Sequence, residues 1–148
     1  MLIKQKFDIS NWGGLYTMAK LQSLSINGNE VKDYIVDSGV SSGYTWIRYN
    51  SGIYVVDFTD RNTFNVTKGY GSSYYADYEF NSKNLYPFKA IYHCNANIIN
   101  NSSNIFSINP STVNVETGNI HIWAYISCPV SVSSKQLDLS FHIVGTWK

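Results

Sequence analysis

The sequence predicts an all-β domain, an antiparallel β-sandwich of jelly-roll-like type. Three observations point there. Apolar and polar residues alternate over short runs, as in Leu137, Leu139, Phe141 and Ile143 set against Asp138, Ser140 and His142. No run sustains the period near 3.6 residues of a buried helix face. Turn signals recur about every eight to twelve residues, the spacing of a sandwich or barrel. A chain of 148 residues is one domain's worth, able to bury roughly 70% of the surface its unfolded form exposes.

The chain divides into a lead-in, residues 1–29, and a sandwich domain, residues 30–148. Met1 to Lys20 lacks sustained periodicity, and Asn11-Trp-Gly-Gly14 is a turn or linker signal. Leu21–Ile26 and Asn29–Val36 read as a hairpin about Asn27-Gly28, because Asn-Gly supplies the positive φ angles of a tight turn. Beyond the turn-like Asp37–Gly43, Tyr44–Tyr49 and Ile53–Phe58 form a second hairpin about Asn50-Ser-Gly52. Phe64–Val66 reads as a short strand, and Tyr70–Tyr78 as a tyrosine-rich loop or strand edge.

Pro87 opens the next strand, Phe88–Ala96; proline fits the first residue of a strand, where its missing N–H is not needed by the ladder. A polar loop, Ile99–Asn104, precedes Ile105–Ile108. Ser111–Val115 turns at Thr117-Gly-Asn119 into Ile120–Ile126, and Cys128–Val132 leads to the closing strand. Gly145 interrupts that strand. A pattern that runs on to Trp147-Lys148 predicts a packed end where fraying is the default.

Charged residues are 14% of the chain and the formal net charge is +1. That balance gives nucleic acid or an anionic membrane nothing to hold, and it favours self-association. Aromatics reach 16%, including twelve tyrosines, amid many Asn, Ser and Gly. This mixture suits adaptable recognition surfaces, although for any single tyrosine the filling of an aromatic-rich strand is the readier reading. Cys94 and Cys128 lie in apolar runs and are expected as buried free thiols. The N-terminal stretch holds no long apolar run, so neither a signal peptide nor a membrane span is expected. The glycosylation sequons at Asn65, Asn100 and Asn101 then read as loop polarity.

Catalytic patterns are weak, and no enzyme activity, cofactor or metal is expected. Asp57 and Asp60 could pair as glycosidase acids, but acids at strand ends more often bind turn amides. His93, His121 and His142 fall on three strands and would have to converge to ligate a metal. No nucleophile elbow such as Gly-x-Ser-x-Gly occurs. Aromatic and amide-rich segments are stronger candidates, because rings stack on sugar C–H faces while amides and carboxylates pair with hydroxyls. Tyr70, Tyr74, Tyr75, Asp77 and Tyr78 form one such set, and Asn100 and Asn101 a second. Trp46 and Arg48 share a strand face by parity, and with Trp123 and Trp147 they are expected in the core or an interface.

Several patches in order resemble one family. Asp33-Tyr-Ile-Val-Asp37 with the strand and turn Gly43–Gly52, then Leu85-Tyr-Pro-Phe88, then Phe141-His-Ile-Val-Gly-Thr-Trp-Lys148, resemble the C-terminal head domain of tail-fibre and baseplate proteins from phages and prophages of Gram-positive bacteria. The chain departs from that pattern at Val55-Val56-Asp57, where Glu and then Trp are common, at Ile47 for a cation, and at Thr146 for Arg. The resemblance implies a non-enzymatic, receptor-binding homotrimer at the virion's tail tip, made in the bacterial cytoplasm. Its implied partners are host cell-wall saccharide, other tail or baseplate proteins and further copies of itself, with no nucleic acid and no membrane insertion. A purely structural trimerisation or capping domain is the alternative, and a tail-associated glycan hydrolase a more distant one.

Overall fold

The computed structural model describes residues 3–8, 20–26, 29–30, 33–41, 43–82, 88–99, 105–116 and 119–148. In order they form β1 (Ile3–Asp8), β2 (Lys20–Ile26), β3 (Asn29–Glu30), β4 (Ile35–Ser41), β5 (Tyr44–Tyr49) and β6 (Ile53–Val66). Then follow β7 (Lys68–Tyr70), β8 (Ser73–Asn81), β9 (Ala90–Ile98), β10 (Ser107–Glu116), β11 (Asn119–Cys128) and β12 (Val132–Thr146). The described residues contain no helix, and the protein is all-β. Two antiparallel sheets make the main body: five strands in the order β4-β5-β6-β12-β9, and four in the order β10-β11-β8-β7. The lead-in forms a sheet of its own, β1-β2-β3.

One core lies between the two larger sheets, and strand alternation builds it. Tyr54, Val56 and Phe58 of β6 and Leu137, Leu139, Phe141 and Ile143 of β12 point inward from one side. Ala76 and Tyr78 of β8 and Ile120, Ile122, Ala124 and Ile126 of β11 meet them from the other. Phe141 sits at the centre, stacked 4.8 Å from Phe58 and 5.6 Å from Tyr78 between ring centroids. Each wholly buried side chain of this size contributes about 1.5–3 kcal/mol relative to exposure.

The closing strand is central rather than peripheral. β12 pairs with β6 from Val132↔Val66 to Thr146↔Ile53 and with β9 on its other side. Gly145 sits at the β9 register shift, where a Cβ would collide with the Ala90 carbonyl and stand 2.7 Å from the Phe88 ring. Trp147 then docks on the β5–β6 turn: its backbone N–H donates to the Gly52 carbonyl (3.1 Å) and its indole N–H to the Tyr49 carbonyl (3.0 Å). The Arg48 guanidinium lies 5.1 Å from the Trp147 ring and pairs with the buried Asp37 carboxylate. Lys148 reaches the Asn50 carbonyl.

Some elements differ from those the pattern predicts. β1 is a strand although its sequence carries no clear alternation; its partner β2 holds it by backbone pairing. β2 is followed only by the two residues of β3, and from Ile35 onward the chain pairs with β5 instead. Phe64–Val66 is no separate strand but the end of the fourteen-residue β6. Asn11–Gly14, Asn27-Gly28, Leu85–Pro87, Asn100–Asn104 and Thr117-Gly118 lie outside the described residues.

Candidate functional site

The site grows from the hairpin β7–β8. Gly71, at φ 59°, takes the left-handed conformation that turns the chain between Tyr70 and Ser73. β8 then runs beside β11 with Tyr75 opposite Ser127 and Asp77 opposite Tyr125. β11 in turn pairs with β10, setting Tyr125 opposite Asn109. Three strands distant in sequence thereby bring their outward side chains to one end of the four-stranded sheet.

Those side chains line an open cleft of about 740 Å³. Tyr70, Tyr74, Tyr75 and Tyr125 supply its rings, and Ser73, Asn109 and Ser127 its polar groups. The Tyr75 ring stands edge-on to Tyr125 at 5.8 Å and to Tyr70 at 6.5 Å. Edge-to-face packing of this kind helps to hold the rings in place. Tyr70 is 80% exposed and Tyr125 46%. Ser127 and Ser107 hydroxyls are 2.7 Å apart, which orients Ser127 at the rim.

Charge beside the cleft is tied up locally. Lys68 pairs with Asp77, and its ammonium lies 5.6 Å from the Tyr75 ring centroid. The hydrogen bond and charge of Asp77 hold the Lys68 pKa above its ordinary value. Next along the same sheet face, His121 Nε2 is 2.9 Å from Glu79 Oε1, and the His121 ring lies 3.8 Å from that of Trp123.

The structure gathers Tyr70, Tyr74 and Tyr75 into the cleft and sets Asp77 beside it. Tyr78 must be removed from that set. It is only 3% exposed, on the core side of β8, and its hydroxyl donates to Asp60 at 2.8 Å. Burial first, and then that hydrogen bond, push the phenol pKa up, so Tyr78 remains a donor. Asn100 and Asn101 lie outside the described residues. Asn109, Tyr125 and Ser127 were not singled out by sequence; outward parity along Ile120–Ile126 marks Tyr125, whereas Asn109 and Ser127 follow only from pairing.

The other candidates separate. Asp57 and Asp60 point to opposite faces of β6: Asp57 meets His142 Nδ1 at 2.7 Å on the outer side, and Asp60 meets Tyr78. His121 belongs to the four-stranded sheet, His93 and His142 to the five-stranded one. Trp46 and Trp147 pack against the core and Arg48 is buried beside them. Of the two positions expected for Trp123, core or interface, the core is excluded. Its place on β11 is an outward one, and it keeps 37% of its surface exposed.

Among the described residues no cluster of three or more His, Cys, Asp or Glu could hold a metal, and no helix is long and apolar enough to cross a membrane. No family model, curated protein or solved structure matches the chain.

Proposed function

We propose that this protein is a non-enzymatic recognition domain for cell-surface saccharide, the head of a phage tail fibre or baseplate protein. The observation that carries the reading is the cleft in which Tyr70, Tyr74, Tyr75 and Tyr125 stand around Ser73, Asn109 and Ser127. Sugar rings offer C–H faces to such tyrosines and hydroxyls to such amides and hydroxyls. Binding sites for small molecules combine apolar walls with a few placed polar groups in just this way.

Binding is favoured over hydrolysis by where the acids lie. Glycoside cleavage needs two carboxyl groups flanking one bond, about 5–9.5 Å apart. Asp57 and Asp60 face opposite sides of their strand, and the two acids on the cleft's own sheet face are both engaged, Asp77 by Lys68 and Glu79 by His121. In this reading the two-sheet body is a jelly-roll-like sandwich displayed as a homotrimer. Three shallow clefts then act together, so that weak single-site affinity becomes firm attachment. The sequence resemblance supplies the tail-fibre setting and the Gram-positive cell wall as target.

The test is adsorption of the purified chain to Gram-positive cell-wall fractions, with oligomer mass measured in the same sample. Wild-type protein is expected to adsorb as a trimer and Tyr75→Ala to lose adsorption with its mass unchanged. Equal adsorption by both would leave the cleft without a role and favour a structural capping domain.

A further inference from the structure

The outward face of β11 continues past the cleft. Trp123 lies two residues further along β11 on the same outward face, about 6.6 Å on by strand rise. Across from it on β8 stands Glu79, as Asp77 stands across from Tyr125. His121 backs the indole at 3.8 Å and takes Glu79 by its Nε2, so ring and carboxylate are both positioned. From Ser127 through Tyr125 to Trp123 the aromatic and polar groups cover four residue rises, about 13 Å. That is the length of a short oligosaccharide rather than a single sugar ring.

The charge of this face is equally informative. Across all of β7, β8, β10 and β11, Lys68 is the only Lys or Arg. It is already paired with Asp77. A phosphate-bearing chain laid along the face would therefore find no unengaged lysine or arginine on these strands, and it would pass the carboxylates of Asp77 and Glu79. Uncharged hydroxylated rings meet no such repulsion, and the acids can accept their hydroxyl protons.

We infer that the cleft and the Trp123–Glu79 stretch form one continuous track for an extended, uncharged saccharide chain, with Tyr75 and Tyr125 gripping one end and Trp123 the next ring along. The inference rests on the saccharide reading above and adds the ligand's charge class and length. Phosphate-rich wall polymers are on this account poor ligands.

Saccharide released from Gram-positive cell walls, separated by anion exchange into uncharged and phosphate-bearing pools and graded by chain length, provides the probe. Wild type, Tyr75→Ala and Trp123→Ala are compared in binding, each after a melt to check folding, with Trp123→Phe as a gentler variant. The expected result is binding to the uncharged pool, with affinity rising with length and little dependence on salt. Tyr75→Ala weakens binding at every length. Trp123→Ala cancels only the gain from length, about tenfold for one lost aromatic contact, and Trp123→Phe retains most of it. Preference for the phosphate-bearing pool, abolished by salt, overturns the charge assignment. Equal wild-type affinity for short and long uncharged chains, or a folded Trp123→Ala that keeps the full wild-type gain with length, overturns the track. Failure to bind either pool at any length overturns the saccharide reading itself.

Discussion

Two glycine-to-alanine substitutions should move stability in opposite directions. At Gly145 an added Cβ meets the Ala90 carbonyl, a backbone atom of the neighbouring strand, and stands 2.7 and 3.0 Å from two carbons of the Phe88 ring. Phe88 is itself buried against Tyr54 at 4.3 Å, so it has little room to retreat. Relief requires β9 to move off β12, and overpacking of this kind costs about 1–3 kcal/mol or more. At Gly69 in β7 an added Cβ meets nothing within 4 Å. There the methyl only restricts the unfolded chain, a gain of about 0.4–1 kcal/mol. For a domain of this size each kcal/mol is about 2–4 °C in melting temperature. Gly145→Ala should therefore melt roughly 2–12 °C below wild type and Gly69→Ala roughly 1–4 °C above it. Calorimetry on the three proteins, backed by urea melts, decides the matter. A Gly145→Ala protein melting with wild type would show that β9 and β12 do not approach as closely as described.

Phe141→Ala should cost about 3–5 kcal/mol in urea unfolding, because its ring stacks with both Phe58 and Tyr78 across the core; a loss below 1 kcal/mol would contradict a single shared core. Arg61 holds the Asp138 carboxyl below its ordinary range through hydrogen bonds of 2.5 and 2.9 Å. The folded pKa is thus lower than the unfolded one, so this pair stabilises above the usual carboxylate range and loses its effect as pH falls through the folded value. Arg61→Gln should raise the Asp138 pKa in a carbon-13 titration, and an unmoved value would rule out the pair. Burial lifts the Cys94 thiol to about 11, and Cys128 is buried. Thiol reagent at pH 8 should therefore label neither cysteine quickly in folded protein and both in urea, since the thiolate is the reactive form.

What the sequence discloses here is parity, and what it hides is partnership. The alternation of Leu137, Leu139, Phe141 and Ile143 names the core face of β12 without knowledge of its neighbours. Parity also divides Tyr75 and Asp77 from Tyr78 on β8, although composition alone groups them. On β11 the signal blurs, because the outward positions carry His121, Trp123 and Tyr125, residues as bulky as the core. Nothing local announces that Asn109 and Ser127 join Tyr75, since that meeting depends on three strands pairing across long separations. Tyr74 lines the cleft against its parity while also packing against the core, which alternation alone does not foretell. The end of the chain was readable as packed, but its contacts with Tyr49, Asn50 and Gly52 come only from the fold.

The claim that the tyrosine cleft is the recognition surface is tested most directly by mapping amide chemical-shift changes as wall saccharide is titrated into labelled protein. Changes are expected to concentrate at Tyr70, Ser73, Tyr75, Asn109, Tyr125 and Ser127, reaching Trp123 as the saccharide lengthens. Changes confined to the five-stranded sheet, or none at saturating saccharide, would contradict it.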